Sequence, residues 1–361
     1  ADFARESQQL LGGLSASNAI SLGTINLQGT AHTGTPTGLD LCRHLEGQRG
    51  KLFDAIQALD SEAKRLSDAW TAAVDAAIGT DDQTRTVLGL NEHYLPLIRA
   101  LKAEADVNRR YIGLLQQDIV LCYDTGGRSV LEKLKKMAFA AGDVYNPAVP
   151  ADRPLEYLSI SNAVASDATS GFRAGAYYDP ETETVIVSYA GTNPLDIVGD
   201  LKTDLDGALG LNTRQAELAV AFLDAVRRQF PEQTIEITGH SLGGRLAELV
   251  AIINGSRATT FNPAGVHRNE VERFTAYRSL TTETLLSNDR IGGRVTSVSV
   301  KDEFLTGIQE TLNPKNSPLL PPKARGTKLQ IGNGPEPTVF ERLQTPGVVG
   351  PRAIIDAIVG V

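Results

Sequence analysis

Histidine and cysteine are scarce in this 361-residue chain, which holds five of the first and two of the second. Cys42 and Cys122 stand too far apart to form the framework that staples small secreted domains. They read as two ordinary thiols, able at most to make one bridge. No Cys/His cluster has ligand spacing, so nothing supports a metal held by cysteine, and no cofactor is called for. A basic excess is also missing. The formal net charge of -8 argues against nucleic acid as a partner and gives an anionic membrane surface no help beyond a local patch. No apolar run reaches the length of a membrane span. The start, Ala1-Asp2-Phe3-Ala4-Arg5, lacks the basic stretch and apolar core of a signal peptide. A leader removed earlier, or export without a cleaved one, fits equally well. There is no internal repeat.

What is present is ordinary for a globular protein: 41% hydrophobic and 22% charged residues, enough for a large core in one or two domains. Residues 11–40 are rich in Gly, Ser and Thr, so 1–40 is expected to be a flexible arm. Residues 41–128 read as a helical hairpin. Its first helix carries Leu52, Ile56, Leu59, Ala63, Leu66, Trp70 and Ala73, alternating four and three apart. Gly79-Thr80-Asp81-Asp82 breaks it. The second is expected to begin near Pro96, a favoured first-turn residue, and carries Leu97, Leu101, Ala105, Ile112, Leu115 and Ile119 up to Gly126-Gly127. Stripes of this kind are normally core. A lid, a lipid-contacting face or a docking module is the functional alternative.

From residue 129 to 361, strands and helices alternate. Phe172 to Tyr178 and Glu183 to Tyr189 flank the turn Asp179-Pro180-Glu181-Thr182. A helix is expected over Thr213 to Phe230 with Asn212 as its cap. Strands follow at Thr234 to Thr238, Ala258 to Phe261 and Arg294 to Val300. The fold class is therefore α/β, an α/β-hydrolase with a mostly parallel sheet preceded by a helical region.

Between the strand ending at Thr238 and the amphipathic run Leu246 to Ile253 lies Gly239-His240-Ser241-Leu242-Gly243-Gly244. A Gly-x-Ser-x-Gly turn between strand and helix is a nucleophile elbow. The turn is cramped, so the residues two on either side of the serine must be small. The helix behind it points N–H groups at a forming oxyanion. Ser241 is the expected nucleophile, and Leu242 N–H one oxyanion donor. The second donor is expected from Ala190-Gly191-Thr192-Asn193, at Thr192. Catalytic residues of open sheets gather at the carboxyl ends of strands, which points to Asp302 after Val295 to Val300, with Glu303 as its rival. Asp196, Asp200, Asp204 and Asp206 lack the dense ligand run of a calcium loop.

The stretches Ser170 to Ala174, Ser188-Tyr189-Ala190-Gly191-Thr192, the elbow and Phe261-Asn262-Pro263-Ala264-Gly265 together resemble the class 3 lipase family. The likeness is to its bacterial branch of phospholipase A1-type enzymes and secreted antibacterial effectors. It covers about the last two thirds of the chain and implies a lipid or phospholipid ester substrate at a membrane surface. For the effectors it also implies a cognate immunity protein. Ala190 departs from the family, which usually has Arg there. The base departs further: the family places a histidine after the Asp, and none follows Asp302 here. A natural loss, a substitution near Arg352 or an early end of the chain, or service by another histidine would each account for this. Of the five, His267 is the candidate, because it follows the strand after the elbow. A hydrolase-fold protein that acts by binding is the alternative function.

Overall fold

The computed structural model describes residues 37–145, 154–191, 201–275, 279–300 and 322–331, with side chains in the helix starting at Leu201 described from 214 onward. Helix α1, Gly38–Ala77, opens on a reciprocal cap. The Asp40 N–H donates to Thr37 Oγ1 at 3.3 Å, while Thr37 N–H donates to the Asp40 carboxylate at 2.9 Å. Helix α2, Gln83–Asp124, starts well before the proline expected to open it, and Pro96 lies inside. An interior proline removes one helical bond and crowds the preceding turn. Two contacts hold the helix together across it. The Trp70 indole N–H donates to Asn91 at 2.9 Å upstream, and Ile98, Leu101 and Ala105 are buried downstream.

The cysteines are not free thiols. Cys42 and Cys122 form a disulfide across a Cα–Cα distance of 5.6 Å, and both are fully buried. Their separation of 80 residues hides this in the sequence. The antiparallel hairpin brings the end of α2 back beside the start of α1. Helix α3, Arg128–Asp143, follows.

The sheet contains β1 (Glu156–Leu158), β2 (Ser166–Asp167), β3 (Phe172–Asp179), β4 (Thr184–Tyr189), β5 (Thr234–His240), β6 (Arg257–Phe261), β7 (Val295–Val300) and β8 (Thr327–Ile331). Its order is β1-β3-β4-β5-β6-β7-β8, with β2 also on β3. β1, β2 and β4 pair with β3 antiparallel, and every step from β4 to β8 is parallel. The β3–β4 hairpin closes at Asp179 opposite Thr184, with Lys136 of α3 bound to the Asp179 carboxylate at 2.8 Å. This is an α/β-hydrolase arrangement behind a helical N-terminal region.

Helix α4, Leu201–Gln229, crosses between β4 and β5. It begins twelve residues upstream of the expected Thr213, so Asn212 sits inside it rather than capping it. A capping preference is local and yields where the chain on both sides continues the helix. Helix α5, Leu242–Asn254, is not amphipathic in its setting: every residue from Gly243 to Asn254 is buried. Such a helix belongs to the centre of a core. Short helices α6 (Arg268–Arg273), α7 (Thr282–Leu285) and α8 (Asn288–Gly292) lead into β7.

The hairpin docks on this layer through its apolar stripes. Leu59, Ala63 and Leu66 of α1 and Ile98, Leu101 and Ala105 of α2 share one core with Val187, Ile237 and Leu249. A buried charge cluster sits in the same contact. Glu104 of α2 accepts from Arg290 at 2.6 Å and pairs with Arg294 at 2.5 Å. Arg290 also donates to the Ile252 carbonyl at 2.7 Å, and Arg294 donates to Asn108 at 2.8 Å. Burial of Arg294 lowers its pKa to about 10, against the attraction of Glu104.

Candidate functional site

Ser241 stands between β5 and α5, half-buried, with φ 55 and ψ -121. Such a conformation is costly for a side chain and persists only where its surroundings impose it. Here they do. Ser241 N–H donates to the Phe261 carbonyl at 3.0 Å, and the Ser241 carbonyl accepts from Ala264 at 3.2 Å and Arg245 at 3.1 Å. The turn is thus tied to the loop after β6 and to its own helix. The flanking glycines are required by contact. A Cβ at Gly239 would lie 2.4 Å from the Gly243 carbonyl oxygen, and one at Gly243 would lie 2.1 Å from that of Tyr189.

Leu242 is the first residue of α5, so its N–H has no acceptor within the helix and forms part of the positive end of the helix dipole. Gly191, at the end of β4, comes close to it: a Cβ there would lie 3.1 Å from Leu242 N. The chain leaving β4 and the start of α5 therefore converge beside Ser241. Thr192 itself lies outside the described residues, as do Asp302, Glu303, Asp196, Asp200, 304–321 and Arg352. Among the described residues no group of three or more His, Cys, Asp or Glu is placed to hold a metal ion.

His267 precedes α6, and its N–H donates to Glu270 Oε2 at 2.9 Å. Glu270 in turn pairs with Arg245 of α5. Burial lowers the His267 pKa, Arg245 lowers it further, and Glu270 opposes both. Its Nε2 is buried and has no hydrogen-bond partner among the described residues. Among the described residues no hydrogen bond joins His267 to Ser241. Instead it borders a cavity of about 620 Å³ shared with Lys51, Asn288, Lys323 and Arg325, whose wall does not include Ser241. His240 ends β5 and is buried; His44 is buried on α1, with Nε2 3.2 Å from Thr296 Oγ1.

Two residues near the turn were not singled out from the sequence. Glu248 of α5 is fully buried and accepts from Arg325 N–H at 3.2 Å; burial pushes its pKa up to about 7. Tyr145, just after α3, accepts from Gly191 N–H at 2.8 Å and donates to the His240 carbonyl at 3.4 Å. Nothing local marks Tyr145: it is 46 residues from Gly191 and meets it only through the fold.

Comparison with known proteins places the geometry in context. A family described as phospholipase-like, the Tle-like phospholipase domain, matches residues 136–331, more than half of the chain. The extracellular phospholipase A1 of Serratia liquefaciens is 31% identical over 182 residues, covering 50% of this chain and 52% of that protein. The chain thus spans about half the length of this curated relative. Among solved structures, a triacylglycerol lipase from Penicillium expansum aligns with a TM-score of 0.39 at 16% identity over 56% of this chain and 80% of its own. The Rhizomucor miehei lipase propeptide complex gives 0.37 at 14%, over 56% and 68%.

Proposed function

The chain belongs to the family of Tle-like phospholipase domains, and we propose that it hydrolyses a carboxylic ester of a phospholipid with Ser241 as the nucleophile. The strained turn at Ser241, pinned by the loop after β6 and opposed by Gly191, is the observation that carries this reading. In it the Ser241 oxygen bonds to the acyl carbon as its proton passes to a base, and the carbonyl electrons move onto the oxygen. Thr192 and Leu242 N–H groups hold that oxyanion. Collapse expels the lyso-lipid alcohol, which takes the proton, and water releases the fatty acid in the same sequence. Asp302 orients the base. His267, the candidate for that base, would have to leave its seat beside Arg245 and Glu270 to serve. Fatty-acid release from phospholipid vesicles that disappears in Ser241→Ala supports the proposal, and release that survives the substitution overturns it.

A second reading is a folded but catalytically silent form that works by binding; it is favoured by the seat of His267 on Glu270, beside Arg245, with no hydrogen bond to Ser241 among the described residues. Losing a triad member typically lowers kcat by about four to six orders of magnitude. The finer role, a secreted effector neutralised by a cognate immunity protein over the cleft, draws support from the family likeness alone. A pull-down from the source cell that retrieves no specific partner would count against it.

A further inference from the structure

We infer that Tyr145 is a positioning residue of the oxyanion hole: its hydroxyl clamps the Gly191 backbone to the strand that ends at the nucleophile. The inference rests on the reading of Ser241 as nucleophile. A hole needs two donors held at a fixed separation before the substrate arrives, because donors that must reorganise stabilise the oxyanion less. One donor, Leu242, is fixed by the elbow. The other is expected on the chain leaving β4, where the last bond to the sheet among the described residues runs from Ala190 N–H to the Arg173 carbonyl of β3 at 3.0 Å.

The Tyr145 hydroxyl extends that hold by one residue, to Gly191. It accepts from Gly191 N–H at 2.8 Å and reaches the His240 carbonyl, on the residue before Ser241, at 3.4 Å. One oxygen thus links both arms of the hole. It also lies 3.0 Å from where a Gly191 Cβ would be, so any larger residue at 191 would meet it. The tyrosine is itself anchored, since its carbonyl accepts a hydrogen bond from Arg173 on β3. Burial pushes the phenol up to about 12 against the Gly191 N–H, which keeps the hydroxyl protonated and able to donate to His240. Consuming the Gly191 N–H in this bond also removes it as an oxyanion donor.

Tyr145→Phe keeps the ring and deletes only the clamp. The expected result is a maximal rate of fluorophosphonate labelling at Ser241 lowered by about tenfold or more, below the loss for a direct donor. The half-saturating probe concentration and the unfolding midpoint are expected to stay unchanged. Equal labelling rates, or a rate loss that merely tracks a lower midpoint, overturn the proposal. Amide hydrogen exchange on the unsubstituted protein gives a second arm: Gly191 N–H is expected to be protected, and fast exchange there overturns the clamp whatever the variant does. If the unsubstituted protein is protected at Gly191 but not labelled, the serine reading fails and the contact stands.

Discussion

At the residue scale, close backbone contacts hold the turn around Ser241. Its requirements are local: small residues two positions either side, a strand before and a helix after. Those requirements appear as distances at Gly239 and Gly243. Gly243→Ala tests them. Its Cβ would meet a backbone oxygen, at 2.1 Å, rather than a flexible side-chain end. The variant is expected to lose about 1–3 kcal/mol in urea unfolding and to lose labelling at Ser241. Unchanged stability and labelling would show the turn to be looser than described. Tyr145 and the disulfide were not legible for the opposite reason. Each depends on which distant segments the fold brings together, and nothing in the flanking residues reports that.

At the scale of elements, hydrophobic periodicity identified the hairpin helices, the β3–β4 pair and the strands around the elbow. It placed element ends less well. Pro96 and Asn212 are local end signals, and in both cases the helix runs past them. The periodicity also says nothing of Glu104, a charged residue inside an apolar stripe that proves to be fully buried between Arg290 and Arg294. These partners lie 186 residues or more away in the chain. Removing one member of such a cluster strands the others without water or counter-charge. Glu104→Ala is therefore expected to cost about 3–5 kcal/mol. A loss below about 1 kcal/mol in chemical denaturation would mean that the two arginines find other acceptors.

At the scale of the whole molecule, two buried groups set opposing pH dependences. Burial lowers the His44 pKa to about 4, with the charge of Lys51 adding to it. The folded state then holds a neutral ring that the unfolded state protonates, so this contribution is present above the unfolded pKa of 6.5 and is lost as pH falls toward 4. Glu248 runs the other way. Its folded pKa of about 7 lies above the ordinary carboxylate value of 4.5, so stability falls as pH rises from 4.5 to 7 and stays lower beyond. The two slopes nearly cancel between pH 4.5 and 6.5. Glu248→Gln leaves His44 unopposed. Relative to the unsubstituted protein, it is expected to gain stability as pH rises from 5 to 8, by about 3 kcal/mol at most. An unchanged difference between those two pH values would show that Glu248 ionises normally.

Covalent capture decides whether Ser241 is a poised nucleophile. Folded protein is treated with a fluorophosphonate, digested and mapped by mass spectrometry, beside Ser241→Ala. One adduct is expected, on the peptide carrying Ser241, absent from the variant. A folded chain that takes no adduct, or takes it on another residue, contradicts it.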